Sequence, residues 1–137
     1  MAVQFSTSTR NAALDAIETA MGVSAILKIY DLTAGAPANC AASITGTVLA
    51  TLNLPADFMA AAAGGVKSLL GTWQDASADA AGIADFYRMF ASDGVTCHEQ
   101  GVVTATGGGG DMTVDNTNFA AGQPVNVTSK TWTAGGA

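Results

Sequence analysis

The sequence is short of ionisable side chains. Of its 137 residues, eleven are acidic, five are basic and one is histidine. Enzymes bring acids, bases, nucleophiles or metal ligands together in one place, and this chain carries few residues of those types. The composition therefore indicates a protein that is not an enzyme, and we expect it to use no cofactor and no bound metal.

Basic residues and long apolar runs are also scarce. The net charge is −6 and the isoelectric point is about 4.2, so phosphate backbones and anionic membranes would repel the chain. No apolar run reaches the length of about 18 residues that a membrane span needs, and the N-terminus lacks the basic and apolar regions of a secretory signal. We expect no nucleic-acid or membrane partner, and synthesis in a cytoplasm.

Only two cysteines are present, Cys40 and Cys97, far apart in the sequence. Two such thiols lack the spacing of a metal site. In a reducing cytoplasm two free, buried thiols are the first interpretation, and a disulfide is the alternative. The separation of the two Cα atoms would decide between them, because a bridge requires less than about 7 Å.

One segment has the pattern of a helix. Residues 1–7 are predicted to form an extended arm and residues 8–21 an α-helix, with Thr7 or Ser8 as N-cap. Alanines favour the helix along its length, and Gly22 stands where a left-handed C-terminal cap belongs. The side chains predicted to face inward lie on one stripe: Leu14, Ile17 and Met21.

After the helix the apolar period changes to two, which indicates strands. One or two helical turns are predicted over 55–63 and a polar loop over 74–82. Asp93 and Gly94 predict a hairpin turn, and residues 134–137 a loose tail. The predicted strands are 25–31, 47–54, 66–73, 83–90, 95–106, 111–116 and 125–133. Short strands between glycine turns predict one mainly β domain over 1–137, a jelly-roll-like antiparallel β-sandwich with one N-terminal α-helix.

The motifs that could carry chemistry are incomplete. The glycine run 107–110 lacks the lysine of a phosphate-binding loop, so a flexible hairpin loop or a close approach between subunits is the preferred interpretation. Cys97 and His98 are neighbours on a strand and should point to opposite faces. The aspartates are spaced too irregularly for a calcium loop and are expected to be solvated. We therefore assign no catalytic, cofactor-binding or metal-binding residue.

Several segments together resemble a set of small virion structural proteins of tailed bacteriophages and prophages. They are MAVQFSTSTRNAALDAIETAMG, GAPANCAAS, TVLATLNLPADFMAAAAGG, GTWQDASADA and TCHEQGVVTATGGGGDMTVDN, and they extend over nearly the whole chain. Within that set the chain is most similar to a capsid cement, or decoration, protein of a short-tailed phage. The resemblance implies a jelly-roll fold and no catalytic residues.

The resemblance implies a protein made in the bacterial host that binds the outside of the phage head. There it would contact the major capsid protein, stabilise the shell by bridging its subunits, and form a dimer or trimer. The alternatives are another virion component (a tail or head-fibre subunit, or a receptor-contacting module) and a small-ligand-binding β-sandwich or unrecognised enzyme. Substitution of His98 or Asp85 would test for the enzyme. The residues predicted to anchor the interface lie on terminal arms that order on assembly: Phe5, Thr131, Trp132 and Thr133.

Overall fold

The computed structural model describes residues 2–32 and 35–137. Strands make up 38% of it and helix 11%, which confirms the mainly β fold with one N-terminal helix. The elements are α1 (Thr7–Met21), β1 (Ile26–Asp31), β2 (Thr47–Asn53), β3 (Val66–Ser68), β4 (Gln74–Asp75), β5 (Gly82–Ile83), β6 (Phe86–Phe90), β7 (Cys97–Ala105), β8 (Met112–Val114), β9 (Asn118–Phe119) and β10 (Val125–Thr133).

Helix α1 is capped at both ends by residues that form hydrogen bonds with its free backbone groups. Ser6, rather than the predicted Thr7 or Ser8, is the N-cap, because its hydroxyl accepts the N–H of Thr9 at 3.2 Å. Gly22 is the C-cap, as predicted, with a φ of 80°. Its N–H donates to the carbonyl of Glu18 at 3.0 Å. The helix is 15 residues long, and in the described part of the chain no helix is long and apolar enough to cross a membrane.

The inward face of α1 is narrower than predicted. Leu14 and Met21 are buried in the core, but Ile17 is 41% exposed. The three residues share a stripe, yet only its two ends contact the sheet closely enough to be covered. The prediction for Ile17 is therefore wrong, and α1 packs on the rest of the molecule partly through polar contacts described below.

The strands form one sheet of eight strands and one separate pair. The order in the large sheet is β2-β1-β6-β7-β8-β10-β3, with β4 also paired to β10, and β5 pairs with β9. The first part of β7 pairs with β6 and its last part, residues 103–105, pairs with β8. Strands that change partners in this way make the corners of β-sandwiches, so the topology is consistent with the predicted sandwich.

One pair of neighbours, β7 and β8, is parallel, which the antiparallel prediction did not include. The glycine run between them folds back on Thr104, whose hydroxyl accepts the N–H of Gly110 at 3.0 Å. A Cβ at Gly108 or Gly110 would come within 2.7 or 2.9 Å of the Thr104 side chain. The loop is therefore packed against Thr104 of its own chain and joins two parallel strands, so the predicted hairpin loop is wrong. Residues 107–109 are exposed, and the close approach between subunits stays a prediction.

Both ends of the large sheet are covered by the chain itself. On β2 the N–H of Thr51 donates to the carboxylate of Asp75 at 3.0 Å. Beside β3, which has only three residues, the N–H of Ala60 donates to the carbonyl of Ser68 at 2.8 Å. Short and covered edge strands resist pairing with other chains. The structure therefore does not support these edges as sites for adding a strand from another subunit.

Some element boundaries differ from the predictions because long-range hydrogen bonds override the local pattern. The expected helical turns at 55–63 are absent, since this segment pairs with 66–70 through bonds such as Leu70 N–H to Phe58 O at 2.9 Å. The strand expected over 66–73 ends at Ser68 and a turn follows at Gly71, with a φ of 76°. The strand expected over 83–90 divides into β5 and β6, because Ala84 N–H turns to Thr117 O.

The core is one continuous cluster between these strands and the helix. Trp73 and Phe58 lie at its centre with their rings 6.1 Å apart, and the Trp73 indole donates to the Phe58 carbonyl at 3.1 Å. The core therefore contains large side chains as well as alanines. The largest fully buried side chains are Trp73, Tyr87, Phe58, Leu27, Ile29, Leu49, Leu52, Met59, Met89, Met112, Val114 and Val125.

Candidate contact surface and the buried polar cluster

The two ends of the chain are held together. The backbone N–H of Phe5 donates to the carbonyl of Gly136 at 2.6 Å, and the N–H of Ala134 donates to Gly65 at 3.0 Å. Gly136 has a φ of 86°, and a Cβ there would come within 2.7 Å of the Phe5 ring, so a glycine is required at this contact. The tail at 134–137, predicted to be loose, is instead hydrogen-bonded at Ala134 and Gly136.

The paired ends expose apolar and hydroxyl side chains. Val3 is 75% exposed and Phe5 is 52% exposed, while Thr131 and Thr133 point outward from the last strand. We call Val3, Phe5, Thr131 and Thr133 the terminal surface. The Phe5 ring borders an apolar groove of about 320 Å³. The groove is lined by Phe5, Thr9, Arg10, Ala13, Ala134 and Gly135.

Trp132, the remaining predicted interface anchor, lies on the other face of β10. Successive side chains of a strand point to opposite faces, so Lys130 and Trp132 are buried where Thr131 and Thr133 are exposed. Trp132 is 8% exposed, and its indole N–H donates to the Glu99 carboxylate at 2.8 Å. Its burial removes it from the terminal surface.

Trp132 belongs to a buried cluster of four polar side chains, Tyr87, Glu99, Lys130 and Trp132. The Lys130 ammonium, on a residue only 3% exposed, donates to the Glu99 carboxylate and, at 2.8 Å, to the Tyr87 hydroxyl. The Tyr87 hydroxyl in turn donates to Glu99 at 2.6 Å. Lys130, Tyr87 and Trp132 therefore all donate to the Glu99 carboxylate. The negative charge of this carboxylate neutralises the buried ammonium.

The electrostatics of this cluster favour fixed protonation states. Burial raises the pKa of Tyr87 far above its usual range, and the negative charge of Glu99 raises it further. Tyr87 is therefore a neutral phenol and a permanent donor. The Lys130 ammonium also lies 5.1 Å from the centre of the Tyr87 ring and 5.9 Å from that of Trp132, where the negative faces of the rings favour a cation.

The cluster borders a cavity of about 330 Å³ between α1 and β10. Two residues that line the cavity, Tyr87 and Asp111, pack closely against Gly101. A Cβ at this position would come within 2.8 Å of both the Tyr87 ring and the Asp111 carboxylate. The acid and base groups of the cluster are already bonded to one another, so they are suited to holding strands together. The cavity is lined by Leu14, Ile17, Tyr87, Glu99, Gln100, Asp111, Lys130, Thr131, Trp132 and Thr133.

A second buried ammonium fixes α1 to the sheet. Lys67 on β3 is 3% exposed and contacts Asp15 at 2.7 Å and Glu18 at 2.8 Å. Burial alone would lower the pKa of Lys67, but its hydrogen bonds to the two carboxylates outweigh this and raise the pKa. The same hydrogen bond lowers the pKa of Asp15. These ion pairs hold the helix that follows the N-terminal arm.

Most of the aspartates are exposed, as expected for solvated carboxylates, but several also accept hydrogen bonds from the backbone. Asp85 accepts the N–H of Leu32 at 3.1 Å, and Asp31 accepts that of Ile83 at 3.0 Å. Each carboxylate thus supplies an acceptor to a backbone N–H that no strand partner satisfies. Among the described residues, no group of three or more His, Cys, Asp or Glu side chains could hold a metal ion. His98 is exposed.

The two cysteines are adjacent in space. Both are free, in agreement with the first interpretation, but half-buried where buried thiols were expected. Their sulfur atoms are 2.6 Å apart. Burial first, and then the neighbouring Cys40, raise the pKa of the Cys97 thiol to about 12. Sequence spacing contained no signal for this contact, because it depends on how the loop before β2 folds over β7.

The sequence matches no protein-family model. No similarity to a curated protein or to a solved structure is detected.

Proposed function

We propose that this chain is a structural protein that binds other protein subunits through the terminal surface. The observation that carries the proposal is the N-terminal arm: Val3 and Phe5 are exposed at 75% and 52%, while the arm backbone is held to Gly136. Large apolar side chains on a held segment are typical of interface anchors. A loose arm with the same side chains would be much weaker evidence.

The chemistry of the terminal surface suits contact with protein. Its four side chains, a valine, a phenylalanine and two threonines, are uncharged, and Arg10 lines the groove beside Phe5. The buried centres of interfaces are depleted in charge. The hydrogen bond from Phe5 to Gly136 holds the arm at Phe5 before binding. Because binding then orders fewer groups, less of the contact energy is offset by lost conformational freedom.

We propose further that the partner is the major capsid protein on the outer surface of a tailed-phage head. This step depends on the resemblance of the sequence to virion structural proteins. A protein that binds only the mature lattice stabilises it by mass action, and a dimer or trimer spanning neighbouring subunits would bind more tightly through multivalent contact. Such a cement protein needs a rigid body and a contact surface, and no reactive group.

Copy number distinguishes this role from the other virion roles. In purified particles of the phage that encodes the chain, quantitative mass spectrometry should find it in numbers comparable to the major capsid protein. A tail or head-fibre subunit would be present in few copies. Particles that contain few copies or none would exclude the cement role.

A matched pair of variants tests the surface itself. Phe5→Ser should weaken binding to particles stripped of the protein by at least about tenfold, the loss expected for one buried aromatic anchor. Val95→Ser removes an apolar side chain that is even more exposed, at 78%, from the β6–β7 hairpin and should bind normally. Deleting residues 1–7 would be a poorer test, since it also removes the helix cap Ser6. Unchanged binding by Phe5→Ser would refute the assignment of the surface.

A further inference from the structure

The cysteine pair has a geometry that the proposed function does not use. Cys40 lies in the loop before β2 and Cys97 opens β7, and their sulfur atoms are 2.6 Å apart. The two thiols contact each other directly. Joining them would therefore require only local adjustment of the side chains.

The loop that carries Cys40 is placed by buried side chains of the sheet. The Arg88 guanidinium, on a residue 4% exposed, donates to the carbonyls of Asn39 at 3.0 Å and Ala42 at 2.8 Å. These carbonyls flank Cys40 on both sides. Arg88 is itself oriented by Gln100, whose side-chain oxygen accepts from it at 3.2 and 3.1 Å. The contact between the sulfurs is thus imposed by the fold.

Two further contacts stabilise the same loop. Gln100 donates its side-chain N–H to the carbonyl of Pro37 at 3.0 Å. Within the loop, the Asn39 side chain accepts the N–H groups of Ala41 at 2.9 Å and Ala42 at 3.0 Å. The turn around Cys40 is therefore closed by its own hydrogen bonds as well as by those from the sheet.

We propose that Cys40 and Cys97 are an oxidation site that forms an intramolecular disulfide with a small-molecule disulfide, such as oxidised glutathione, as oxidant. One protein cysteine loses its proton and attacks the oxidant, displacing a first small thiol and leaving a mixed disulfide. Because the pKa of the Cys97 thiol is raised, the reaction should be faster at alkaline pH. The second protein thiolate then attacks the protein sulfur of that mixed disulfide and displaces a second small thiol. The two cysteines lose two electrons and two protons, and the oxidant is reduced to two thiols.

The oxidised and reduced forms should differ in stability and hardly at all in fold. A bridge between Cys40 and Cys97 would close a long loop of the unfolded chain, which lowers its conformational entropy. It would also tie the loop before β2 to β7. The inference does not depend on the proposed capsid role, because it concerns the isolated chain. A protein that leaves a reducing cytoplasm would acquire this bridge afterwards.

The test uses the full-length chain incubated with mixtures of reduced and oxidised glutathione. On oxidation, the intact mass should fall by two hydrogens and both thiols should stop reacting with maleimide, while the protein stays monomeric on a non-reducing gel. The melting temperature should rise by about 10 °C, as estimated from the loop length and the size of the domain. Cys40→Ser should instead retain one glutathione on Cys97.

Three outcomes would overturn the proposal. They are a wild-type mass that does not change, a persistent glutathione adduct on the wild-type chain, and covalent dimers. None of the wild-type measurements depends on the variant, so a poorly folded Cys40→Ser leaves the test intact. Binding to phage particles is a separate assay, and its failure would leave the disulfide result standing.

Discussion

The buried ion pair between Lys130 and Glu99 makes the sharpest prediction about stability. Lys130→Met leaves the Glu99 carboxylate with only its neutral donors, Tyr87 and Trp132. Glu99→Gln leaves the Lys130 ammonium buried without a counter-charge. Each single variant therefore leaves one buried charge uncompensated, which costs more than the intact pair contributes.

The magnitude follows from the burial of each partner. Removing one member of a buried pair costs about 3–5 kcal/mol. The Lys130 side chain is 2% exposed, but that of Glu99 is 19% exposed, so solvent screening places both single variants near the lower end, about 3 kcal/mol each. The double variant removes both charges and keeps a neutral acceptor for Tyr87 and Trp132. Because no buried charge is then left uncompensated, we expect the double variant to cost no more than about 3 kcal/mol. Against about 6 kcal/mol for two independent effects, this implies a coupling energy of at least about 3 kcal/mol.

Urea unfolding of the four proteins measures this coupling. Trp73 and Trp132 are both buried, so their fluorescence should report the loss of the core. If the losses of unfolding free energy in the two single variants add to within about 0.5 kcal/mol in the double variant, Lys130 and Glu99 do not interact and the predicted coupling is wrong. Should a single variant fail to fold, recovery of folding in the double variant would still establish the coupling, and its absence would refute it.

Two further predictions concern single positions. Gly101→Ala should destabilise the protein by about 1–3 kcal/mol, since the added Cβ would lie 2.8 Å from Tyr87. The control, Gly135→Ala, adds a Cβ that meets nothing within 4 Å and should cost less than about 0.5 kcal/mol. Equal losses of stability for the two variants in urea unfolding would contradict the prediction. Hydrogen bonds from the Thr96 side chain and backbone lower the pKa of Asp93 to about 2. Its carboxylate therefore stabilises the β6–β7 hairpin above the unfolded pKa of about 3.9, and this contribution disappears as the pH falls through about 2. Asp93→Asn should flatten the stability profile between about pH 4 and 2, and an unchanged profile would show that the Thr96 contacts contribute nothing.

The features that local sequence could predict are those with local causes. The Asp93–Gly94 turn, the helix stop at Gly22 and the bounds of β10 (Val125–Thr133) are all confirmed. A turn is decided by residues that tolerate its backbone angles, and a half-buried strand by its alternation. Neither needs knowledge of the rest of the fold.

The polar cluster could not be predicted in the same way. Alternation places Lys130 and Trp132 on one face of a strand, and that signal was present in the sequence. Tyr87 and Glu99 join them only through the register of β6 and β7 and the parallel pairing of β7 with β8. Register depends on which faces are buried across the sheet, and one strand at a time does not show it.

The few charged residues of the sequence have mainly structural roles in the folded protein. Three of the five basic residues, Lys67, Arg88 and Lys130, are buried and bonded, and several aspartates accept backbone N–H groups. Most of the charge therefore acts inside the chain, holding loops, helix and strands in place. Because the charges are used internally, the terminal surface is left with apolar and hydroxyl groups on a rigid support. That combination supports the proposed binding to other proteins, and it is the reason that Phe5 is the position to substitute first.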